Sequence, residues 1–178
     1  MKVVDEQLRQ VIMRARQGDQ TAFGQLVNRF KGPVYRHALG MLGDRGEAED
    51  AAQDIFVKVY QAIGKLEDAY AFYSWLMRIT SNLCKDKLKQ RAKQVETDDM
   101  PDERLPDLLS PDPVLRLSMQ EALTQLSVDH REILLLHDVQ GFRYEEIAEL
   151  TGIPMGTVKS RLFSARMSLR KIWNKGER

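Results

Sequence analysis

Apolar residues recur every three or four positions through most of this chain, the spacing that lays one stripe along an α-helix. Val4, Leu8, Val11, Ile12 and Ala15 form the first stripe. Gly18 and Asp19 close that helix and open another, with Asp19 placed to cap it. Phe23, Leu26, Val27 and Phe30 continue the pattern as far as Gly32-Pro33, where proline predicts a break. A third short helix is expected over residues 34–42, then a loop at 43–46. Residues 47–63 read as a longer helix with Ala51, Ala52, Ile55, Phe56 and Val59 facing inward. Residues 64–73 read as a loop, and Ser74 as the cap of a helix reaching about Gln90. The pattern then lapses and resumes, with helices expected over 114–126, 128–139 (capped by Ser127), 144–150 and from Pro154 to about Trp173. β-branched alternation is sparse. The fold expected is all-α: two small helical domains, 1–93 and 114–178, joined by a flexible linker over 94–113.

Charge distribution sharpens this division. Net charge is +1, but it is unevenly spread. Residues 75–93 hold six Lys/Arg and one acid, and residues 155–178 hold seven and one. Between them, residues 92–113 carry seven acids, two bases and four prolines, Pro101, Pro106, Pro111 and Pro113. Proline removes backbone donors and restricts the residue before it, so an acidic, flexible tether is the reading there. Two basic segments flanking an acidic one point to nucleic acid, which the mean over the chain conceals.

Composition excludes several classes. Hydrophobic residues make up 43% and charged residues 30%, values of a globular protein. No apolar run approaches the roughly 20 residues of a spanning helix. The first ten residues mix in charge and lack a signal-peptide core, so a cytoplasmic location is expected. Cys84 is the one cysteine, which leaves no internal disulfide and no cysteine-built zinc site. His37, His130 and His137 do not cluster with acids at metal spacing. Without a phosphate-binding glycine loop or a nucleophile with a partner base, neither an enzyme nor a cofactor is expected.

The sharpest local signal spans residues 144–162. Ala148 is small where two helices would cross, Gly152 allows the positive φ of a tight interhelical turn, and Pro154 suits a first helical turn. Ile147, Leu150, Ile153, Val158 and Leu162 supply a small shared core. The second helix then presents Thr157, Lys159, Ser160, Arg161, Phe163, Ser164 and Arg166, a set suited to the major groove. The bland alternative is a helical hairpin with a solvated charged face, in which Phe163 belongs to the core.

From Tyr144-Glu-Glu-Ile-Ala to Thr-Val-Lys-Ser-Arg161, this segment resembles region 4 of the extracytoplasmic-function (group IV) sigma factors of the sigma-70 family. A LuxR-type regulator carries a similar Ile-Ala…Thr-Val-Lys pattern and remains the alternative: a helix-turn-helix protein with a helical sensor domain.

The N-terminal half also resembles the sigma family, closest to its sigma-E-like members. Glu49 to Tyr60 has the form of region 2.2, with Asp50, Gln53 and Asp54 on one helical face beside Phe56. The resemblance makes these residues the contact to core RNA polymerase, on the clamp helices of its largest subunit. Alone, such a stripe could equally be a solvated polar face. Phe72, Trp75, Leu76, Arg78, Ile79 and Asn82 keep the spacing of region 2.4. Melted bases need stacking partners and a separated strand needs cations along its backbone. The resemblance therefore assigns Tyr70, Tyr73, Trp75, Arg78, Asn82, Lys85 and Lys89 to the promoter −10 element, with Tyr70 and Tyr73 read as loop residues. Trp75 and Phe72 equally suit a core. Thr157, Lys159, Ser160, Arg161, Phe163 and Arg166 would read the −35 element. Met77 and Ser164 depart from the family's usual tyrosine and basic residue. The implied partners are polymerase core, including the flap of its second-largest subunit, promoter DNA and a membrane-anchored anti-sigma factor.

Overall fold

The computed structural model describes residues 4–97 and 119–176. Most of the expected linker and the start of the expected 114–126 helix lie outside the described residues. Helices α1 (Glu6–Arg16), α2 (Gln20–Leu42) and α3 (Arg45–Ala62) are followed by two single 3₁₀ turns, Ile63–Lys65 and Ala69–Ala71, and by α4 (Phe72–Thr97). The second set comprises α5 (Met119–Thr124), α6 (Val128–Leu134) running into a π-turn (Leu135–Val139), α7 (Tyr144–Thr151) and α8 (Met155–Gly176).

Short polar side chains start these helices by accepting from amides that have no partner in the first turn. Asp5 accepts from Leu8 N, Asp19 from Ala22 N, Asp44 from Glu47 N and Ser127 from His130 N, at 2.7–3.3 Å. The caps expected at Asp19 and Ser127 are therefore present. Gly43 (φ +83°) and Gly152 (φ +75°) end α2 and α7 in the left-handed conformation.

Two expectations are corrected. The break at Gly32-Pro33 does not occur, and α2 continues through it. Leu26 and Phe30 before the proline, and Val34, Ala38 and Met41 after it, all lie buried on one stripe. Burying each large side chain contributes about 1.5–3 kcal/mol, which outweighs a proline penalty of about 3 kcal/mol. Ser74 is not a cap. The helix begins two residues earlier, at Phe72, and Ser74 Oγ donates to Ala71 O at 3.0 Å. Asp68, accepting from Tyr70 N at 2.9 Å, organises the turn before it. Tyr73 thus sits in α4 rather than in a loop.

Helix α2 is central. It packs on α1, α3 and α4 from its own half and on α5, α6 and the π-turn from the other. The buried apolar cluster runs unbroken across both helical sets. At the seam Leu135 lies over Gly40 and Thr124 against Gly43. Phe142 stacks on Tyr73 at 5.3 Å with 14° between the ring planes.

Candidate polymerase and promoter interface

On α3 the core phase is Ala48, Ala51, Ile55 and Val59, which leaves Asp50, Gln53 and Asp54 exposed together on the outer face. Asp54 Oδ2 stands 3.0 Å from Lys87 Nζ of α4. Phe56 is half-buried and lines an apolar groove of about 530 Å³ between α2 and α3, with Phe23, Val27, Ala52, Val57 and Tyr60. The Phe23 and Tyr60 rings meet edge to face at 5.0 Å. Val57 is 57% exposed and Tyr60 49%. Sequence reading omitted both, although both are large apolar residues out of phase with the α3 core, and that mismatch was the available signal. Carboxylates and an amide beside an open apolar groove suit a protein partner that brings both cations and an apolar side chain.

On α4, Trp75, Arg78, Asn82, Lys85 and Lys89 fall at three- and four-residue intervals on one stripe. Tyr70, 59% exposed, precedes them in the second 3₁₀ turn. Phe72 is core, whereas Trp75 is half-buried, 6.0 Å from the Phe72 ring. Tyr73 departs from its expected role. It is 3% exposed, between Phe30 and Phe142, and its hydroxyl donates to Gln140 Oε1 at 2.6 Å. Burial pushes that phenol up to about 12. Arg78 Nη2 donates to Glu149 O at 2.9 Å, and Lys85 Nζ lies 3.0 Å from Glu132 Oε1. Three of the seven expected −10 residues are thus engaged by the second helical set, while Tyr70, Asn82 and Lys89 are exposed.

The second set folds as a helix-turn-helix. Ile147, Leu150, Val158 and Leu162 are buried as expected, Ala165 joins them, and Ile153 is half-buried. Phe163 is 68% exposed, so it is a surface residue and not core. Lys159, Ser160 and Arg166 are exposed, and Thr157 and Arg161 are partly so. Arg161 Nη1 pairs with Asp129 Oδ2 at 2.9 Å, and Arg166 Nε with Asp138 Oδ2 at 3.2 Å. Burial raises the Asp138 carboxyl, but hydrogen bonds from Arg166 and His137 outweigh it and hold the group below its ordinary value. Exposed pairs of this kind contribute about 0–1 kcal/mol, so a phosphate can exchange with the carboxylate at little cost.

Residues 26–94 match the family model described as Sigma-70 region 2, and residues 116–169 the one described as Sigma-70, region 4. The RNA polymerase sigma-H factor of Pseudomonas aeruginosa is 32% identical over 95% of both chains. The ECF RNA polymerase sigma factor SigW of Bacillus subtilis is 31% identical over 90% of this chain and 93% of its own. The chain belongs to the extracytoplasmic-function sigma factors of the sigma-70 family. It is a transcription initiation factor that binds polymerase core and promoter DNA, and not an enzyme. Region 2 fills the half where the LuxR-type alternative required a sensor domain, and that alternative falls. The sigma factor RpoE of Bartonella quintana, solved in complex with the anti-sigma factor NepR, superposes with a TM-score of 0.70 at 26% identity. That match covers 88% of this sigma factor and 98% of RpoE. Among the described residues, no helix is long and apolar enough to cross a membrane.

Proposed function

We propose that this sigma factor divides its work among three surfaces. The outer face of α3, with Asp50, Gln53, Asp54 and Phe56, docks on the clamp helices of the largest polymerase subunit. The α4 stripe holds the opened −10 strand: Asn82, Lys85 and Lys89 follow the backbone, Arg78 adds a cation, and Tyr70 and Trp75 offer rings to unstacked bases. Helix α8 reads the −35 element through Thr157, Lys159, Ser160, Arg161, Phe163 and Arg166, and the same half meets the flap of the second-largest subunit. The domains are the first set, ending with α4 at Thr97, and 114–178, with the residues between them as the tether.

The observation that carries this reading is the exposed α3 face, where carboxylates and an amide border an apolar groove rather than dissolving into an even polar surface. Control by an anti-sigma factor fits the same picture. The Bartonella relative was solved with one, and a membrane anchor on that partner would hold the chain at the inner face of the membrane. Run-off transcription with bacterial core polymerase on fragments of the source genome tests the proposal. Defined transcripts that require the chain are expected, and no stimulation on any fragment would defeat it.

A further inference from the structure

Arg166 of α8 is held by a cluster of side chains from the neighbouring elements. Its Nε donates to Asp138 Oδ2 at 3.2 Å and its Nη2 to Asp138 Oδ1, a fork on one carboxylate. From the other side His137 Nδ1 donates to the same Oδ1 at 2.7 Å. The His137 ring lies against Tyr144, with centroids 5.2 Å apart and 27° between the planes. Lys159 Nζ sits over the Tyr144 ring, 5.9 Å from its centroid. Contacts therefore run unbroken from Lys159 through Tyr144, His137 and Asp138 to Arg166. Lys159 and Arg166 are both exposed and stand two helical turns apart on α8, so they share its outer face.

The elements beneath this cluster are fixed by local structure. His137 and Asp138 belong to the π-turn that ends α6, where Gln140 N donates to Leu135 O at 2.9 Å. Such turns occur frequently at functional sites. Tyr144 opens α7, and buried Val158, Leu162 and Ala165 anchor α8.

The Asp138 carboxylate stands where two oxygens of a phosphate would bind a guanidinium. Its hold differs from that of Asp129 on Arg161, because the Asp129 side chain is 57% exposed and that of Asp138 is 37%. The hydrogen bond to Asp138 raises the Arg166 pKa, and bonds from Arg166 and His137 outweigh burial to hold the Asp138 carboxyl low. Both partners are thus driven toward their charged forms. A guanidinium carries five N–H donors in one plane. The fork on Asp138 uses two, and three remain.

We propose that Asp138, steadied by His137, is a specificity-determining residue of the −35 helix: it stands in for phosphate and withholds Arg166 from arbitrary DNA. This rests on the reading of α8 as the −35 helix. At the element, α8 is seated by its other contacts, and Arg166 works through its remaining donors while keeping Asp138. On any other duplex the guanidinium must leave the carboxylate to reach a phosphate, and exchanging one anion for another returns little. Affinity for arbitrary DNA is lowered, and affinity for the element is not. Specificity is the difference between the two.

Asp138→Asn keeps the shape of the side chain and removes its charge. It should fold as the wild type does, because the pair is exposed. Anisotropy of the full chain on a labelled mixed-sequence duplex, over a series of salt concentrations, reads the freed cation. Binding should tighten about two- to fivefold, the range that an exposed ion pair commands. The slope of log affinity against log salt should steepen by about 0.9, the increment for one phosphate. In an Arg166→Ala background Asp138→Asn should do neither. An unchanged slope would overturn the proposal, and so would the same change without Arg166, which would reflect net charge alone. His137→Phe keeps a ring against Tyr144 and removes the donor. It should move binding in the same direction by a smaller factor, and no movement would strike His137 from the device. With polymerase core, wild-type and Asp138→Asn chains are then compared on a promoter found by run-off transcription and on the same promoter with its upstream element scrambled. The variant's preference for the intact template should be about two- to fivefold weaker, and an undiminished preference would also defeat the proposal. If the wild-type chain yields no transcripts on any template, the sigma reading beneath it fails instead, whatever the salt slopes show.

Discussion

Replacing Arg131 with methionine should destabilise the chain by about 3–5 kcal/mol. The guanidinium is buried and makes four hydrogen bonds to carbonyls, three in its own half and one to Met41 O across the seam. These carbonyls lie at helix ends, where partial negative charge accumulates, so they solvate the cation in place of water. Burial lowers the Arg131 pKa, yet the group stays charged at neutral pH because a guanidinium ordinarily titrates far above neutrality. Hydrogen bonds to a charged group contribute about 1.5–3 kcal/mol each, and the methionine stem recovers part of the lost packing. The net loss falls in the range seen when one partner of a buried charged cluster is removed. Lysine should restore less than half, since it has three donors and no planar fork. Urea unfolding can resolve this by half, because Trp75 lies in the first set and Trp173 in the second. With Trp75→Phe and Trp173→Phe as single-tryptophan backgrounds, Arg131→Met should lower both midpoints. For a slope of about 2 kcal/mol per molar urea, the shift is about 1.5–2.5 M. A shift in the Trp173 signal alone would show that the seam does not couple the halves. A loss under about 1 kcal/mol in both would refute the solvated-guanidinium argument.

Further outcomes are expected at the surfaces and in the core. Asp50→Lys with Asp54→Lys should cut affinity for polymerase core at least about tenfold in a competition assay. Stability should fall by no more than about 1 kcal/mol, because both side chains are exposed and the interaction lost is the exposed Asp54–Lys87 pair. Phe163→Ala should leave the melting temperature unchanged, whereas Leu162→Ala next to it should cost about 2–5 kcal/mol, since one side chain is exposed and the other buried. Arg161→Ala should weaken binding to a −35 duplex by about 1–3 kcal/mol if it reads a base; an equal loss on every sequence would make it a phosphate contact. His37 is fully buried against Ser81, and burial lowers its pKa from 6.5 to about 4. Its neutral form is favoured in the fold, so stability is intact above pH 6.5 and is lost as pH falls toward 4, by roughly 1.4 kcal/mol per unit. His37→Gln should flatten the urea midpoint over that window relative to the wild type, and identical pH profiles would dismiss the histidine as the cause.

Most of the helices were legible because each carries its own periodicity and caps. Asp19, Ser127 and Gly152 act through neighbours one to four residues away, so local sequence determines them. The interior of the helix-turn-helix was legible for the same reason. Pro33 misled because its penalty is local while the burial that offsets it comes from helices of both halves packed on α2. Tyr73 misled similarly. Its place at the edge of an aromatic, acidic stretch read as loop, and partners remote in sequence, Phe30, Phe142 and Gln140, bury it. The seam left one trace in the sequence, a glycine inside a helix, and that trace has meaning only once Leu135 is seen above it.

The net charge is near zero because Lys and Arg (27) barely outnumber Asp and Glu (26), and some of those acids hold the cations of the DNA-facing elements. Lys85, Arg161 and Arg166 each pair with a carboxylate of the chain itself, respectively Glu132, Asp129 and Asp138. For these cations, binding a phosphate exchanges one anion for another, so the gain from releasing counterions is smaller than their number implies. The free chain therefore gains little from arbitrary DNA. On the proposed reading, the balance shifts when polymerase fixes both halves over one promoter, because the second contact then forms at high effective concentration. On the proposed division of surfaces, selectivity follows from this order of events. A chain with the same helices and the three paired acids neutralised to amides would bind DNA sooner, more tightly and with a steeper salt dependence, and would discriminate promoters less well.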